Sequence, residues 1–243
     1  MTHFLIFQHV AEEHPGIFRK FFKDDGVETT AVELDEGGTI PDLSEFDALW
    51  VMGGPMDVWQ EDEHPWLIDE VAAIQHAVID RKMPFMGICL GHQLLAQSLG
   101  GEVGPSAQPE IGILDVTISE TGLKSPLMQG LSATQNCLQW HSAEVTKLPE
   151  GAEVLASSPA CQVQSLSYGG HAFSMQFHVE LEEDTVPNWA AIPEYRDALA
   201  KSAAPGTLET MLARAESNMP QFNATSRILY NNFMTATGLS AAN

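Results

Sequence analysis

A short apolar stretch that turns directly into a helical pattern at a cysteine constrains this chain more than any other feature. Residues 85–88 (FMGI) follow Pro84 and predict a strand that is buried on both faces. Leucines at helical spacing come next and predict a helix. Cys89 stands at the bend, with Gly87 and Gly91 two positions to either side. This arrangement predicts a nucleophile elbow in which sulfur takes the place of oxygen.

The two glycines have a steric reason at such an elbow, because a strained turn needs room for the backbone. A helix N-terminus also stabilises a thiolate, so we expect it to lower the pKa of Cys89. The competing interpretation is a buried structural cysteine at the end of a strand. The Gly-x-Cys-x-Gly context favours the nucleophile.

The first hundred residues alternate between buried strands and amphipathic helices. This order predicts an α/β fold with a parallel, doubly wound sheet, in which ligands bind beyond the carboxyl ends of the strands. Gly53-Gly54-Pro55 and Cys89 both follow predicted strands. The predicted strands are 3–10, 27–34, 47–52 and 85–88, with a loop at 35–46, and the predicted helices are 14–23, 65–82 and 90–99.

The middle of the chain reads mostly as short strands and turns, which suits an antiparallel continuation of the sheet. The residues after 181 have a helical pattern. Without repeats, low-complexity segments or long linkers, we expect a single domain over 1–243, with a core at about 3–181 and a helical C-terminal extension over 182–243. The strands are expected at 113–118, 136–142, 152–158, 161–168 and 171–179, and the last helices near 193–203, 206–218 and 224–237.

The charge balance excludes several classes of partner. Asp and Glu number 33 against 11 Lys and Arg, a formal net charge of -22. Such a surface argues against binding nucleic acid or an anionic membrane. Three cysteines, no membrane-spanning apolar stretch and no export signal predict a reduced, cytoplasmic protein. The scattered histidines lack metal-ligand spacing, so no metal or cofactor is expected.

A cysteine nucleophile needs a base and a group that orients the base. His178 and Glu180 can supply both, because residues two apart on a strand point to the same face. Chance pairing of a histidine with an acid is the alternative for this spacing taken alone. The N–H of Leu90 and the Gly53-Gly54-Pro55 turn are candidate donors to an oxyanion.

Three motifs in this order resemble the class I glutamine amidotransferase family over about residues 3–181: GGP at 53–55, GICLGHQ at 87–93 and QFHVE at 176–180. The resemblance implies a flavodoxin-like three-layer sandwich with a mostly parallel sheet. It implies a triad, an oxyanion hole and a substrate site that binds glutamine or a γ-glutamyl small molecule. These are, in turn, Cys89, His178 and Glu180; the backbones of Gly54 and Leu90; and Gln93, Gly53, His141 and Ser142.

The chain departs from the family's pattern at Val179, where proline is frequent, and its last 62 residues are too few for an ATP-pyrophosphatase domain. Glu110-Ile111-Gly112 resembles the stand-alone branch that is GMP-synthase-like and includes γ-glutamyl peptidases. Three hypotheses stay open. The chain is a glutaminase that gives ammonia to a separate synthetase subunit, or a self-sufficient γ-glutamyl hydrolase, or a non-enzymatic redox sensor. Its tail either packs locally or mediates self-association as a homo-oligomer.

Overall fold

The computed structural model describes residues 1–239, which form one nine-stranded sheet in the order β2-β1-β3-β4-β9-β8-β7-β5-β6. The first five strands in this order are parallel. Their carboxyl ends therefore meet at one edge, as the alternation of strands and helices predicts. These strands are β1 (His3–Gln8), β2 (Glu28–Glu33), β3 (Ala48–Val51), β4 (Phe85–Ile88) and β9 (Ala172–Met175).

The other four strands extend the sheet in antiparallel fashion. The longest pairing joins β5 and β6, which lie at the end of the sheet. The backbone of Leu138 in β6 also exchanges two hydrogen bonds with His178, at 3.0 and 2.9 Å. The antiparallel strands are β5 (Glu102–Ile118), β6 (Thr134–Lys147), β7 (Ala152–Ser157) and β8 (Ser165–Tyr168).

Helices cover both faces, which gives the predicted three layers. Alternate residues of β1 point to opposite faces: Phe4 packs with α1 and α7, and Leu5 packs with α2 and α3. A third apolar cluster joins α5, α6 and α7 to Trp140 of β6. The helices are α1 (Phe18–Asp24), α2 (Trp66–Gln75), α3 (Leu90–Ser98), α4 (Glu120–Lys124), α5 (Thr185–Ala191), α6 (Pro193–Ser202) and α7 (Thr207–Ala236).

Several predicted boundaries are wrong at the ends where local backbone geometry decides. The first helix begins at Phe18 instead of residue 14, because Gly16 has a left-handed φ of 52°. The helix predicted over 65–82 changes to a π-helical turn at His76–Asp80. The strand predicted over 161–168 begins only at Ser165, because Ser158 and Cys161 form a turn. The strand predicted over 171–179 ends at Met175.

The C-terminal extension differs most from its prediction. Two helices were expected around a break near Pro220, but α7 runs through this proline as one helix. An interior proline costs a helix about 3 kcal/mol, and α7 offsets this by burying Phe222, Leu229 and Phe233 completely. The helix α5 was not predicted. None of the helices in residues 1–239 is both long and apolar enough to span a membrane.

Candidate active site

The predicted elbow is present between β4 and α3. Cys89 has φ of 52° and ψ of -103°, a strained conformation for a residue with a side chain. A Cβ on Gly91 would overlap the backbone of Val51, and one on Gly87 would lie 2.5 Å from the carbonyl oxygen of Gly91. The glycines thus allow the close approach of helix and strand that holds the cysteine at the carboxyl edge of the sheet.

His178 and Glu180 lie beside each other, although the reason given by the sequence is wrong. They were expected on one strand, but the strand β9 ends before them. The pairing arises because backbone bonds to Leu138 fix residue 178, and Glu180 then turns back toward the ring. Nδ1 of His178 lies 2.6 Å from Oε1 of Glu180, and the other carboxylate oxygen accepts from the N–H of Val179 at 3.0 Å.

The thiol of Cys89 and the imidazole of His178 interact within this buried site. The hydrogen bond and charge of His178 act to lower the pKa of Cys89, but burial raises it by more. The expected lowering by the helix N-terminus is therefore not found. Burial lowers the pKa of His178, yet Glu180 and the sulfur together raise it well above its usual value. Among the described residues, Nε2 of His178 has no other hydrogen-bond partner.

The Gly53-Gly54 turn is fixed from beneath by a buried histidine that the sequence analysis passed over. Nδ1 of His9 donates to the carbonyl oxygen of Gly53 at 2.8 Å, and Nε2 lies 2.9 Å from Oε1 of Glu70. Both side chains are fully buried. Burial lowers the pKa of His9, but Glu70 and the carbonyl raise it to a net increase. Because the N–H and C=O of one trans peptide point in opposite directions, this contact turns the N–H of Gly54 away from His9.

Most of the predicted site residues meet in one cavity of about 500 Å³. The exception on the substrate side is Gly53, which lies under the turn and bonds to His9 through its carbonyl. His178 and Glu180 are buried behind the cysteine and do not line the cavity. The predicted residues that line it are Gly54, Cys89, Leu90, Gln93, His141 and Ser142.

Polar side chains connect the cavity wall to the sulfur. Nε2 of Gln93 donates to Oε1 of Gln176 at 3.0 Å, and Nε2 of Gln176 lies 3.5 Å from the sulfur of Cys89. Nε2 of His141 lies 3.3 Å from Oε2 of Glu110. Gln93 is thus held next to the nucleophile, and His141 is held in the wall by an acid. Ser142 is exposed at the cavity surface.

The C-terminal extension reaches the site, which the sequence analysis missed. The ring of Trp189 in α5 packs edge-on against His178 with centroids 4.6 Å apart. Its Nε1 donates to the carbonyl of Glu12 at 3.1 Å. Tyr195 of α6 lines the cavity and donates its hydroxyl proton to Oε1 of Glu13. No motif marks Trp189 or Tyr195, because their bonds to Glu12 and Glu13 join positions 177 and 182 residues apart.

Across residues 1–239, no group of three or more metal-binding side chains is arranged to hold an ion. The arrangement instead has the parts of covalent acyl transfer: a strained thiol, a histidine oriented by a carboxylate, and backbone N–H groups at a glycine turn and a helix start. Leu90 is the first residue of α3, where N–H groups have no acceptor within the helix.

Comparison with known proteins agrees with this geometry. A family model described as glutamine amidotransferase class-I matches residues 17–186. The glutamine-hydrolysing GMP synthase component of Ignicoccus hospitalis, a separate polypeptide, is 36% identical over 143 residues, or 58% of this chain and 71% of that protein. Gamma-glutamyl peptidase 3 of Arabidopsis thaliana is 28% identical over 186 residues, or 73% of this chain and 74% of that protein.

A solved structure extends the likeness to almost the whole chain. The crystal structure of a glutamine amidotransferase from Thermotoga maritima matches with a TM-score of 0.85 at 26% identity. The match covers 96% of this chain and 97% of that chain. It therefore includes the C-terminal helices as well as the residues that the family model matches.

Proposed function

Since the chain belongs to the class I glutamine amidotransferase family, we propose that it breaks the γ-amide bond of glutamine or of a γ-glutamyl conjugate through a thioester on Cys89. The observation that carries this proposal is the buried His178–Glu180 pair, 2.6 Å apart, beside the sulfur at a strained elbow. We assign the nucleophile, base and orienting roles to Cys89, His178 and Glu180.

The first step moves a proton and forms a sulfur–carbon bond. The carboxylate of Glu180 accepts from Nδ1–H of His178, which leaves Nε2 free to take the thiol proton of Cys89. The sulfur then attacks the γ-carbonyl carbon of the substrate. The raised pKa of His178 favours the imidazolium that results.

The second step breaks the carbon–nitrogen bond. The oxygen of the tetrahedral intermediate accepts from the N–H groups of Gly54 and Leu90, which line the cavity next to the sulfur. His178 gives its proton to the nitrogen, which departs as ammonia or an amine. Water activated by the neutral imidazole then attacks the thioester, releases glutamate and restores the thiol. Gln93, His141 and Ser142 contact the glutamyl part.

Two versions of this activity fit the same residues. The similarity to a glutamine-hydrolysing GMP synthase component supports a glutaminase that passes ammonia to a separate synthetase subunit. The similarity to gamma-glutamyl peptidase 3 and a cavity of about 500 Å³ support a self-sufficient hydrolase of γ-glutamyl conjugates. We take the glutaminase as the first candidate and the hydrolase as the second.

Turnover by the purified chain separates the two versions. The chain is incubated alone with glutamine and with γ-glutamyl dipeptides, and released glutamate is measured, with Cys89→Ser as the matched control. Strong turnover of dipeptides without any partner would exclude the first version. Negligible turnover until a synthetase is added would exclude the second. Glutamate release that survives Cys89→Ser would reject both.

A further inference from the structure

A buried carboxyl group lies next to the proposed nucleophile and has no role in the triad. Glu13 follows β1 in a turn whose N–H bonds to the carbonyl of Val10 at 3.1 Å, and it is only 1% exposed. A Cβ on Gly53 would overlap Oε2 of Glu13, and the same Cβ would lie 3.5 Å from Cβ of Cys89. The carboxyl group therefore occupies the side of the glycine turn that faces the elbow.

The two oxygens of Glu13 have different surroundings. Oε1 accepts the hydroxyl proton of Tyr195, while Oε2 has no hydrogen-bond partner among residues 1–239. Burial raises the pKa of Tyr195 well above its usual value, so the phenol remains a donor. The ring of Tyr195 packs on Trp140 with centroids 5.4 Å apart, which fixes the hydroxyl in place. An unpaired buried carboxylate oxygen is costly, so this one is suited to a ligand group.

The groups that face Glu13 come from four parts of the chain. His178, Tyr195 and His9 lower its pKa and Glu180 raises it, but burial has the largest effect, and the pKa rises to about 7. The charge of Glu13 in turn raises the pKa of Cys89. The carboxyl group is therefore partly protonated at neutral pH, directly beside the sulfur and the imidazole.

We propose that Glu13, held by Tyr195, is the subsite for the amine nitrogen that leaves the γ-carbonyl carbon. This inference rests on the proposed function. Both residues lie outside the stretch 17–186 that the family model matches. The nitrogen is the one polar atom of the reaction that changes from amide to amine next to the imidazole. Oε2 can pair with it in either state, as an acid that donates to the lone pair or as a carboxylate that accepts from N–H.

The proton balance of the step is complete. The sulfur of Cys89 bonds to the carbonyl carbon, the carbon–nitrogen bond breaks, and the nitrogen takes the proton from Nε2 of His178. Where Glu13 is protonated, it passes its proton to the free amine and becomes a carboxylate. An alkylammonium holds its proton more tightly, with a pKa of about 10.4 for lysine, so the transfer is downhill. The ammonium then leaves as the ion pair opens.

Substrates that differ only in the leaving group test the subsite. The value of kcat/KM is measured for a γ-glutamyl amide and for a γ-glutamyl methyl ester, because kcat/KM reports the acylation step for both. We expect Glu13→Gln to lower kcat/KM for the amide about 10- to 100-fold, within the usual range for a proton donor, and for the ester by less than about 3-fold. Tyr195→Phe should give the same pattern with a smaller loss. The neighbouring exposed Glu12→Gln is the matched control.

A second readout uses the same subsite in reverse. Hydroxylamine competes with water for the thioester, and Glu13→Gln should lower the ratio of hydroxamate to glutamate. Equal losses for amide and ester, or no loss for either, would overturn the inference. Ester hydrolysis that depends on Cys89 would show that the proposed function survives this failure. Absence of any turnover of amide and ester by the parent chain would reject both proposals together.

Discussion

The imidazole of His9 donates from Nδ1 to the carbonyl oxygen of Gly53 across 2.8 Å, beneath the turn that we propose as half of the oxyanion hole. Nε2 of the same ring is bound to Glu70 at 2.9 Å, and the ring stacks on Trp66 with centroids 5.4 Å apart. The ring is therefore fixed on three sides. Its contact decides which way the peptide between Gly53 and Gly54 faces.

We predict that His9→Leu lowers kcat about 10- to 100-fold with a smaller change in KM. The N–H of Gly54 remains in this variant but is no longer aimed, so the loss should be smaller than the roughly 10²- to 10³-fold cost of deleting an oxyanion donor. Steady-state kinetics with glutamine or a γ-glutamyl amide provide the measurement.

Glu70→Gln is the matched control for His9. The amide of glutamine can donate to Nε2, which leaves Nδ1–H on the carbonyl of Gly53 and keeps the ring neutral. This variant should keep kcat within about 3-fold of the parent value. Full kcat in His9→Leu would show that the turn holds its orientation without the histidine.

The pKa of Glu13 makes a second prediction, about stability. Its folded-state pKa is raised from 4.5 to about 7, so the folded chain binds this proton more tightly than the unfolded chain. The contribution is fully present below pH 4.5 and is lost as the pH rises through 7. Compared with Glu13→Gln, the parent chain should lose up to about 3 kcal/mol of unfolding free energy over this range.

Urea unfolding of both proteins between about pH 4.5 and 8 provides the comparison, because other titrating groups largely cancel in the difference. The variant should gain on the parent as the pH rises. A difference that is flat with pH would mean that Glu13 is ionised over the whole range. A difference of opposite sign would mean that its pKa is lowered in the folded chain.

The elbow should tolerate no side chain at Gly91. Gly91→Ala places a methyl group against the backbone of Val51, and overpacking of this kind costs about 1–3 kcal/mol or more. Gly104→Ala is the control, since its Cβ would meet nothing closer than 3.5 Å. Thermal unfolding should show a large drop in Tm for the first variant and little change for the second. Equal effects would mean that the strand and helix can separate without penalty.

The parallel half of the sheet and the elbow could be predicted because their signals are local. The apolar strands, the glycines around Cys89 and the glycine turn lie within a few residues of the features they determine. The residues His178 and Glu180 were also identified, but for a partly wrong reason. Their geometry depends on backbone bonds to Leu138, far earlier in the chain, and no local pattern encodes such a contact.

The rest of the site depends on contacts between distant parts of the chain. His9 is one histidine in an apolar strand region until Gly53 and Glu70 are brought against it. Glu13 is one of many acids until Tyr195 reaches it from the C-terminal extension. The same is true of α7, where burial of the residues after Pro220 overrides the local preference to end the helix.

The central claim is that Cys89 carries the γ-glutamyl group, and an adduct map tests it most directly. The chain is treated with an electrophilic glutamine analogue or trapped during turnover, and its peptides are analysed by mass spectrometry. We predict a single adduct on Cys89, with Cys137 and Cys161 unlabelled and no adduct in Cys89→Ser. An adduct on Cys137 or Cys161, or γ-glutamyl turnover that proceeds without label on Cys89, would contradict the account.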